Sequence, residues 1–397
     1  MTSATLIPES ALPESIAWSG RPGPADLAPL PGCAAVFLFV DENGAPVQLL
    51  TTQMLNRVAR SKLSEPVETR AGRTDLAEIV RGVRWRRVHS PFEARWRYYR
   101  LIHRLHPKTY RREIAFGPAW FLNVDWSTAI PELQVTERIW FTAGEFVGPW
   151  PAQRACRQAL ETLWDLFELC RFPEQVRKAP HGTPCAYAEM KRCDAPCDGS
   201  VAVSEYLKRV RAAWSFTTGD IDSWESNAQR RMKEAAAGLR FEEAGLLKQQ
   251  LEAARHWRTQ WAGRIRSAER LNYLLVIPAT RRKAWTPFLF RQGCIIDGPL
   301  TPESKLMASL PTVAAELWEA VERMRGGQEE ASAVDVNDEM RMEQTWLVAH
   351  FLHHREARAA LVIPLSEKPC PADLAAWIEK VLHKTTEMDD AQSMKPQ

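Results

Sequence analysis

Four of the eight cysteines fall in one short stretch, as Cys170, Cys185, Cys193 and Cys197, with the spacing C-x14-C-x7-C-x3-C. No other feature restricts the fold as much. If these sulfurs share one ion or cluster, the loops between them must close on a single point. Structural zinc sites usually show two close pairs, and here only Cys193 and Cys197 lie close together. An iron–sulfur cluster is a larger object held by four thiolates and tolerates more varied spacing. Pro184 and Pro196 stiffen the loop beside two of the sulfurs, and Arg171, Lys191 and Arg192 add positive charge that offsets a thiolate-bound cluster. Spacing therefore points to metal and leaves iron–sulfur and zinc both open. The competing reading is four unlinked thiols, because free cysteine is a common core residue.

A chain of 397 residues has room for two to four domains. It has no run of about 18 apolar residues, so no transmembrane helix is expected. The N-terminus lacks a basic stretch followed by an apolar one, so a secretory signal is not expected and the cytoplasm is. Thiols stay reduced there, which again favours a metal over disulfides. A net charge of +3 is too small to imply a nucleic-acid partner by itself. Its distribution says more. Arg84, Arg86, Arg87, Arg97, Arg100 and Arg104 are interleaved with Trp96, Tyr98 and Tyr99, a pattern that suits phosphate contacts and base stacking. A solvated helix face over buried aromatics explains the same pattern.

The chain reads as α+β. Residues 1–30, rich in Pro and Ala, suggest a flexible tail. AAVFLFV, the turn Asp41-Glu42-Asn43-Gly44 and Pro46 to Leu50 read as a hairpin. Helices are expected over 51–63 and 92–105, in a domain spanning 31–147. Gly148-Pro149-Trp150-Pro151 is a break. A cysteine-rich connector, 148–222, follows with helices at 152–170 and 204–214. Residues 223–268 are nearly free of Gly and Pro and read as a helical hairpin bent near Gly238. The mixed remainder, 269–397, starts with strands at 274–278, 288–290 and 294–296. Helices follow at 311–324, 339–356 and 371–383, with a short apolar run at 360–364 between the last two. His350 and His354 stand one helical turn apart, but no Glu follows His350 as a metalloprotease motif needs, so a core or surface histidine group is expected.

The cysteine region resembles a known family. Gly148 to Pro151, the helix ending at Cys170, Pro184-Cys185, Arg192-Cys193, Pro196-Cys197 and Ser204-Glu205-Tyr206 are similar to the middle of the UvrC family of DNA-repair excinucleases. The resemblance implies that Cys170, Cys185, Cys193 and Cys197 hold a [4Fe–4S] cluster. MKEAAAGLRFEEAGLLKQQLEAA, 232–254, resembles the UVR motif. That likeness implies docking on the matching hairpin of UvrB, or of another UVR protein, through Leu239, Phe241, Ala244 and Leu247.

The N-terminal domain looks like a degenerate GIY-YIG nuclease. Its signature columns fall on Ala35-Val36-Phe37 and Gln48-Leu49-Leu50, its arginine column on Val58 beside Arg57, and its metal-binding glutamate column on Tyr98. Metal-dependent phosphodiester cleavage needs a carboxylate and an activated nucleophile, and neither stands in those columns. The likeness to the family ends before a second, RNase H-like nuclease, which is expected to be absent. The resulting expectation is a non-catalytic repair-associated protein that binds a [4Fe–4S] cluster, DNA through Arg84, Arg86, Arg87, Arg97, Arg100, Arg104, Lys191 and Arg192, and UvrB, with no membrane role. The alternatives are an active structure-specific endonuclease with a rearranged site and a redox-sensing scaffold without a DNA role.

Overall fold

The computed structural model describes residues 7–64, 75–140, 144–190, 192–261, 263–280, 283–325 and 337–366. The fold is mixed α and β and divides into two compact units. One comprises residues 1–117, 276–286 and 299–308, and the other 118–275, 287–298 and 309–397.

The first unit begins with β1 (Glu14–Ala17), β2 (Ala35–Val40), β3 (Pro46–Thr52), α1 (Leu55–Ser64), α2 (Leu76–Ile79), β4 (Gly82–Arg87) and α3 (Pro91–Leu105). Its sheet is antiparallel in the order β1-β4-β2-β3. Every residue of β2, AVFLFV, is buried, which fits a strand covered on both faces. Phe37 and Phe39 pack with Leu55, Ala59 and Leu63 of α1 in one cluster. α3 lies against β2 and β3.

The expected flexible tail over 1–30 is corrected by β1. Ser15 and Ile16 pair with Arg84 and Val83 of β4, and Leu12, Leu27 and Leu30 are buried. Of the two expected helices, 92–105 is seen as α3, whereas 51–63 starts late because β3 continues through Thr52. α3 begins with a capping arrangement. Ser90 Oγ accepts from Glu93 N at 3.1 Å, and Glu93 Oε2 accepts from His89 N at 2.8 Å. Ser90→Ala is expected to destabilise this unit by about 1 kcal/mol, read as a lower urea midpoint for α3 amide exchange.

The second unit opens with β5 (Trp120–Val124), β6 (Gln134–Thr136) and β7 (Glu145–Trp150). Next come α4 (Gln153–Phe167), the short α5 (Pro173–Val176) and α6 (Ala186–Glu189), then α7 (Val203–Thr218), α8 (Ile221–Ala237) and α9 (Phe241–Trp261). β8 (Arg266–Ser267) closes a sheet of order β6-β5-β7-β8. Residues of β5 and β7 share one core with α4, α7 and α9. The expected break at Gly148-Pro149-Trp150-Pro151 is corrected: Gly148, Pro149 and Trp150 are the buried last residues of β7, paired through Gly148 with Arg266 and through Trp150 with Trp120, and only Pro151 lies in the exposed turn to α4. At Gly148 the backbone runs so close to Phe121 that an added Cβ would lie 2.4 Å from the ring, so only glycine fits.

The remaining elements are β9 (Asn272–Pro278), β10 (Ala284–Arg291), β11 (Cys294–Asp297), β12 (Thr301–Pro302), α10 (Glu303–Arg325), α11 (Asp338–His353) and β13 (Leu361–Pro364). The strands form a sheet of order β11-β10-β9-β13 with β12 on β10. α10 begins eight residues before the expected start, with Pro311 inside it. Leu306 and Leu310 continue the buried stripe of Val313, Leu317 and Val321, so burial overrides the proline. The helix expected at 371–383 lies outside the described residues.

Candidate metal centre

α4 delivers the first cysteine. Its apolar stripe of Cys156, Ala159, Leu160, Leu163, Leu166 and Phe167 is buried, and the helix stops at Glu168 in a left-handed conformation, φ 53°. The chain then turns Cys170 inward. The thiols of Cys170, Cys193 and Cys197 are buried, while Cys185 is half-buried at the N-cap of α6. The Cys170 thiol donates to the Cys193 sulfur. That hydrogen bond holds the Cys193 thiol down, at about 7, against its burial. The same bond and burial push Cys170 up. Burial raises Cys197, with Asp198 adding to it. Phe172 O, at 3.3 Å from Cys170 Sγ, is the alternative acceptor for that one proton, and Cys197 Sγ donates to Thr183 O at 3.8 Å.

The loop is folded tightly on itself. Gly182 N donates to Cys197 O at 2.8 Å, and a Cβ on Gly182 would lie 2.9 Å from that same oxygen. α7 braces both ends of the loop. Arg209 pairs with Glu168 at 2.9 Å and with Asp194, the neighbour of Cys193. The Tyr206 hydroxyl accepts from the Cys170 backbone, and its own ionisation is suppressed mainly by burial. Arg171 stacks over Tyr187 at 4.5 Å and Trp164 at 5.2 Å and pairs with Asp165. Arg192 reaches the same Asp165 only at 4.0 Å. Lys191 lies outside the described residues. Sequence reasoning reaches Tyr206 only as part of a motif and misses Arg209. Their positions one turn apart on α7 are the available signal.

Donor chemistry in this loop fits a soft metal or an iron–sulfur cluster: several thiols, most of them out of water, one with a low thiol pKa. Among the described residues, however, no group of three or more His, Cys, Asp or Glu stands in a metal-holding arrangement. The loop brings Cys170 and Cys193 into contact, and Cys185 does not share their hydrogen bond.

The helical hairpin presents its apolar residues differently from expectation. Leu239, in a left-handed turn conformation, is 74% exposed and Phe241 is 69% exposed. Ala244 is half-buried. Leu247 is only 3% exposed and is corrected from a contact residue to a core residue, on one stripe with Leu251 and Ala254. Leu246, which the motif does not single out, takes the outward place at 40% exposure. The α9 helix starts at Phe241, and that phase decides between the two leucines.

In the first unit Phe37 and Val58 belong to one apolar cluster. Gln48 sits opposite Phe39 on β3, and its Oε1 is buried without a hydrogen bond. Arg57 is exposed on α1, and the Tyr98 hydroxyl donates to Glu113. The arginines of β4 are engaged by the N-terminal segment. Arg84 donates to Pro8 O at 3.4 Å, Arg86 to Ala11 O at 2.9 Å, and Arg87 pairs with Glu14 at 3.2 Å. On α3, Arg97 pairs with Glu93 at 2.8 Å, and Arg97 and Arg100 both stack on Trp96. Arg104 is half-buried in the last turn.

Comparison with known proteins agrees with the cysteine region. Residues 119–216 match the UvrC/Cho excinuclease middle domain. UvrABC system protein C of Salinispora arenicola is 27% identical over 242 residues, 60% of this chain and 36% of that protein. The Syntrophus aciditrophicus protein of the same name is 29% identical over 237 residues, 58% of this chain and 37% of its own. That of Neisseria gonorrhoeae is 34% identical over 109 residues, 28% of this chain and 18% of its own. The chain thus matches well under half the length of these relatives. No solved structure matches it. Through residues 119–216 the chain matches the UvrC/Cho excinuclease middle domain, and over about 60% of its length it is similar to UvrABC system protein C.

Proposed function

We propose that this chain works in nucleotide excision repair as a UvrC-type binding protein, holding a [4Fe–4S] cluster, DNA and UvrB without cutting DNA through its first unit. The observation that carries this reading is the family match over the very segment that contains the four cysteines and ends in α7, the helix that braces them. When bound, a cluster would supply a rigid cross-link between the two arms of the loop. Cys170, Cys185, Cys193 and Cys197 would hold it.

The non-catalytic part of the reading is supported by packing. Phe37 and Val58 occupy nuclease-signature columns inside an apolar cluster, and Phe37 is fully buried. Phe37 there has no hydroxyl to activate a nucleophile, and its ring is closed to water. Because the arginines of β4 are engaged by residues 8–14, DNA contact falls on Arg104, Lys108 and Arg112, at the end of α3 and just beyond it.

UvrB docking is assigned to the tip formed by Leu239, Phe241 and Leu246. Exposed apolar side chains of this size at a hairpin end are anchors in search of a groove. Binding to purified UvrB by calorimetry tests the assignment. Phe241→Asp is expected to weaken binding about 100-fold, as for loss of a hot-spot aromatic, and Leu247→Asp is not a valid substitute because it would unfold the hairpin. Equal affinity of Phe241→Asp and the unchanged protein would remove UvrB from the proposal.

A further inference from the structure

A second site stands apart from the cysteine loop. A cavity of about 370 Å³ is lined by Arg264, Tyr273, His353, His354, Arg355 and Arg358. Three separate segments build it. The chain leaves α9 through a turn at Gly263 that puts Arg264 on the rim. Tyr273 comes from β9. α11 ends at His353, and His354 caps the turn that carries Arg355 and Arg358, its Nδ1 accepting from Glu356 N at 3.4 Å.

The inventory of hydrogen-bonding groups here is one-sided. Arg264, Arg355 and Arg358 are exposed, and none of their guanidinium groups has an ion pair or hydrogen bond among the described residues. Tyr273 is 3% exposed, and its hydroxyl is buried with no partner. Burial keeps that phenol protonated, with the Arg266 charge opposing, so it remains a donor. His353 Nε2 lies 3.1 Å from Pro149 O, which can only accept, so this nitrogen carries the proton and is already used. One carboxylate, Glu356, stands beside His354 at 3.3 Å. What the cavity offers is therefore donors, most of them guanidinium forks, and what it lacks is an acceptor-rich anion. A buried hydroxyl without a partner costs free energy unless a ligand satisfies it.

We propose that this cavity binds a phosphate ester of nucleotide size, its phosphate between Arg355 and Arg358 and an oxygen on Tyr273. A volume at the lower end of the range of about 300–1,000 Å³ for ligand sites is larger than a bare phosphate requires and matches a nucleotide unit. The ester is either a free mononucleotide or one nucleotide of a DNA strand.

Calorimetry on the full chain separates these sources with three probes: inorganic phosphate, deoxyadenosine monophosphate, and a short single-stranded oligonucleotide carrying a 5′ phosphate. Binding of the mononucleotide supports a free-nucleotide site, and binding of the oligonucleotide alone supports a strand site. In either case the double variant Arg355→Glu, Arg358→Glu is expected to weaken binding about tenfold or more. Both side chains are exposed, so the variant should melt with the unchanged protein. Tyr273→Phe, which keeps the ring and its packing, should weaken binding several-fold. No binding of any probe at millimolar concentration, or binding unchanged in the double variant, overturns the proposal. Equal binding of inorganic phosphate and mononucleotide overturns the assignment of size.

Discussion

Purified without oxygen, the protein is expected to contain about four iron and four acid-labile sulfide per chain, with broad absorption near ~400 nm, all lost in Cys193→Ala. Cys193 is the variant of choice because its thiol is already held low. The Cys170 thiol donates to it and holds its pKa below the usual thiol range, which favours the ligating thiolate. Removing it leaves the Cys170 thiol with Phe172 O, at 3.3 Å, as its acceptor. The variant should therefore lose the cluster. Cys156→Ala is the matching control. That thiol is buried in the α4 stripe, and burial pushes it far from ionisation. Iron content should not change there. Stoichiometric zinc, or no metal in the unchanged protein, would sink the cluster assignment.

Trp150→Ala is expected to destabilise the second unit by about 3–5 kcal/mol, the usual cost of deleting a buried tryptophan. The ring is fully buried at the end of β7. It meets Trp257 at 6.3 Å and Trp261 at 6.1 Å, both edge-on, and so fastens the last turns of α9 to the sheet. Its Nε1 is buried without a hydrogen bond, so Trp150→Phe should be far milder: it keeps most of the ring and removes the unsatisfied donor. Thermal melting should show a fall on the order of 10 °C for alanine, and a small fraction of that for phenylalanine. An alanine variant that melts with the unchanged protein would mean that α9 is held elsewhere.

Much of this architecture is legible where local signals agree. α3 announces itself through Ser90, Pro91 and Glu93, and the hairpin through a long stretch nearly empty of Gly and Pro. β1 is not legible. ESIA has no strong strand character, and it is a strand because β4 offers it an edge and the arginines of β4 hold the segment before it. The cysteines show the reverse pattern. Sequence singles out the cysteines, but their spacing does not say that Cys170 meets Cys193 while Cys185 stands at the N-terminal end of α6. Leu246 and Leu247 differ by one step of helical phase, which no composition argument resolves. The arginine-lined cavity draws on residues from 263 to 362, far apart in the chain, so no motif could have marked it.

The α9 helix is tied down at Gln250, whose side chain donates to Asp165 O at 3.3 Å, and Phe241 lies nine residues beyond. At 1.5 Å per residue that is a rod of about 13 Å. A flexible tether of the same number of residues would reach slightly farther, about 15–18 Å, but in every direction. The difference is aim. A partner caught at Phe241 is held on a fixed bearing from the cysteine loop, as if on a davit, and its next contact is chosen by geometry before diffusion can search for one.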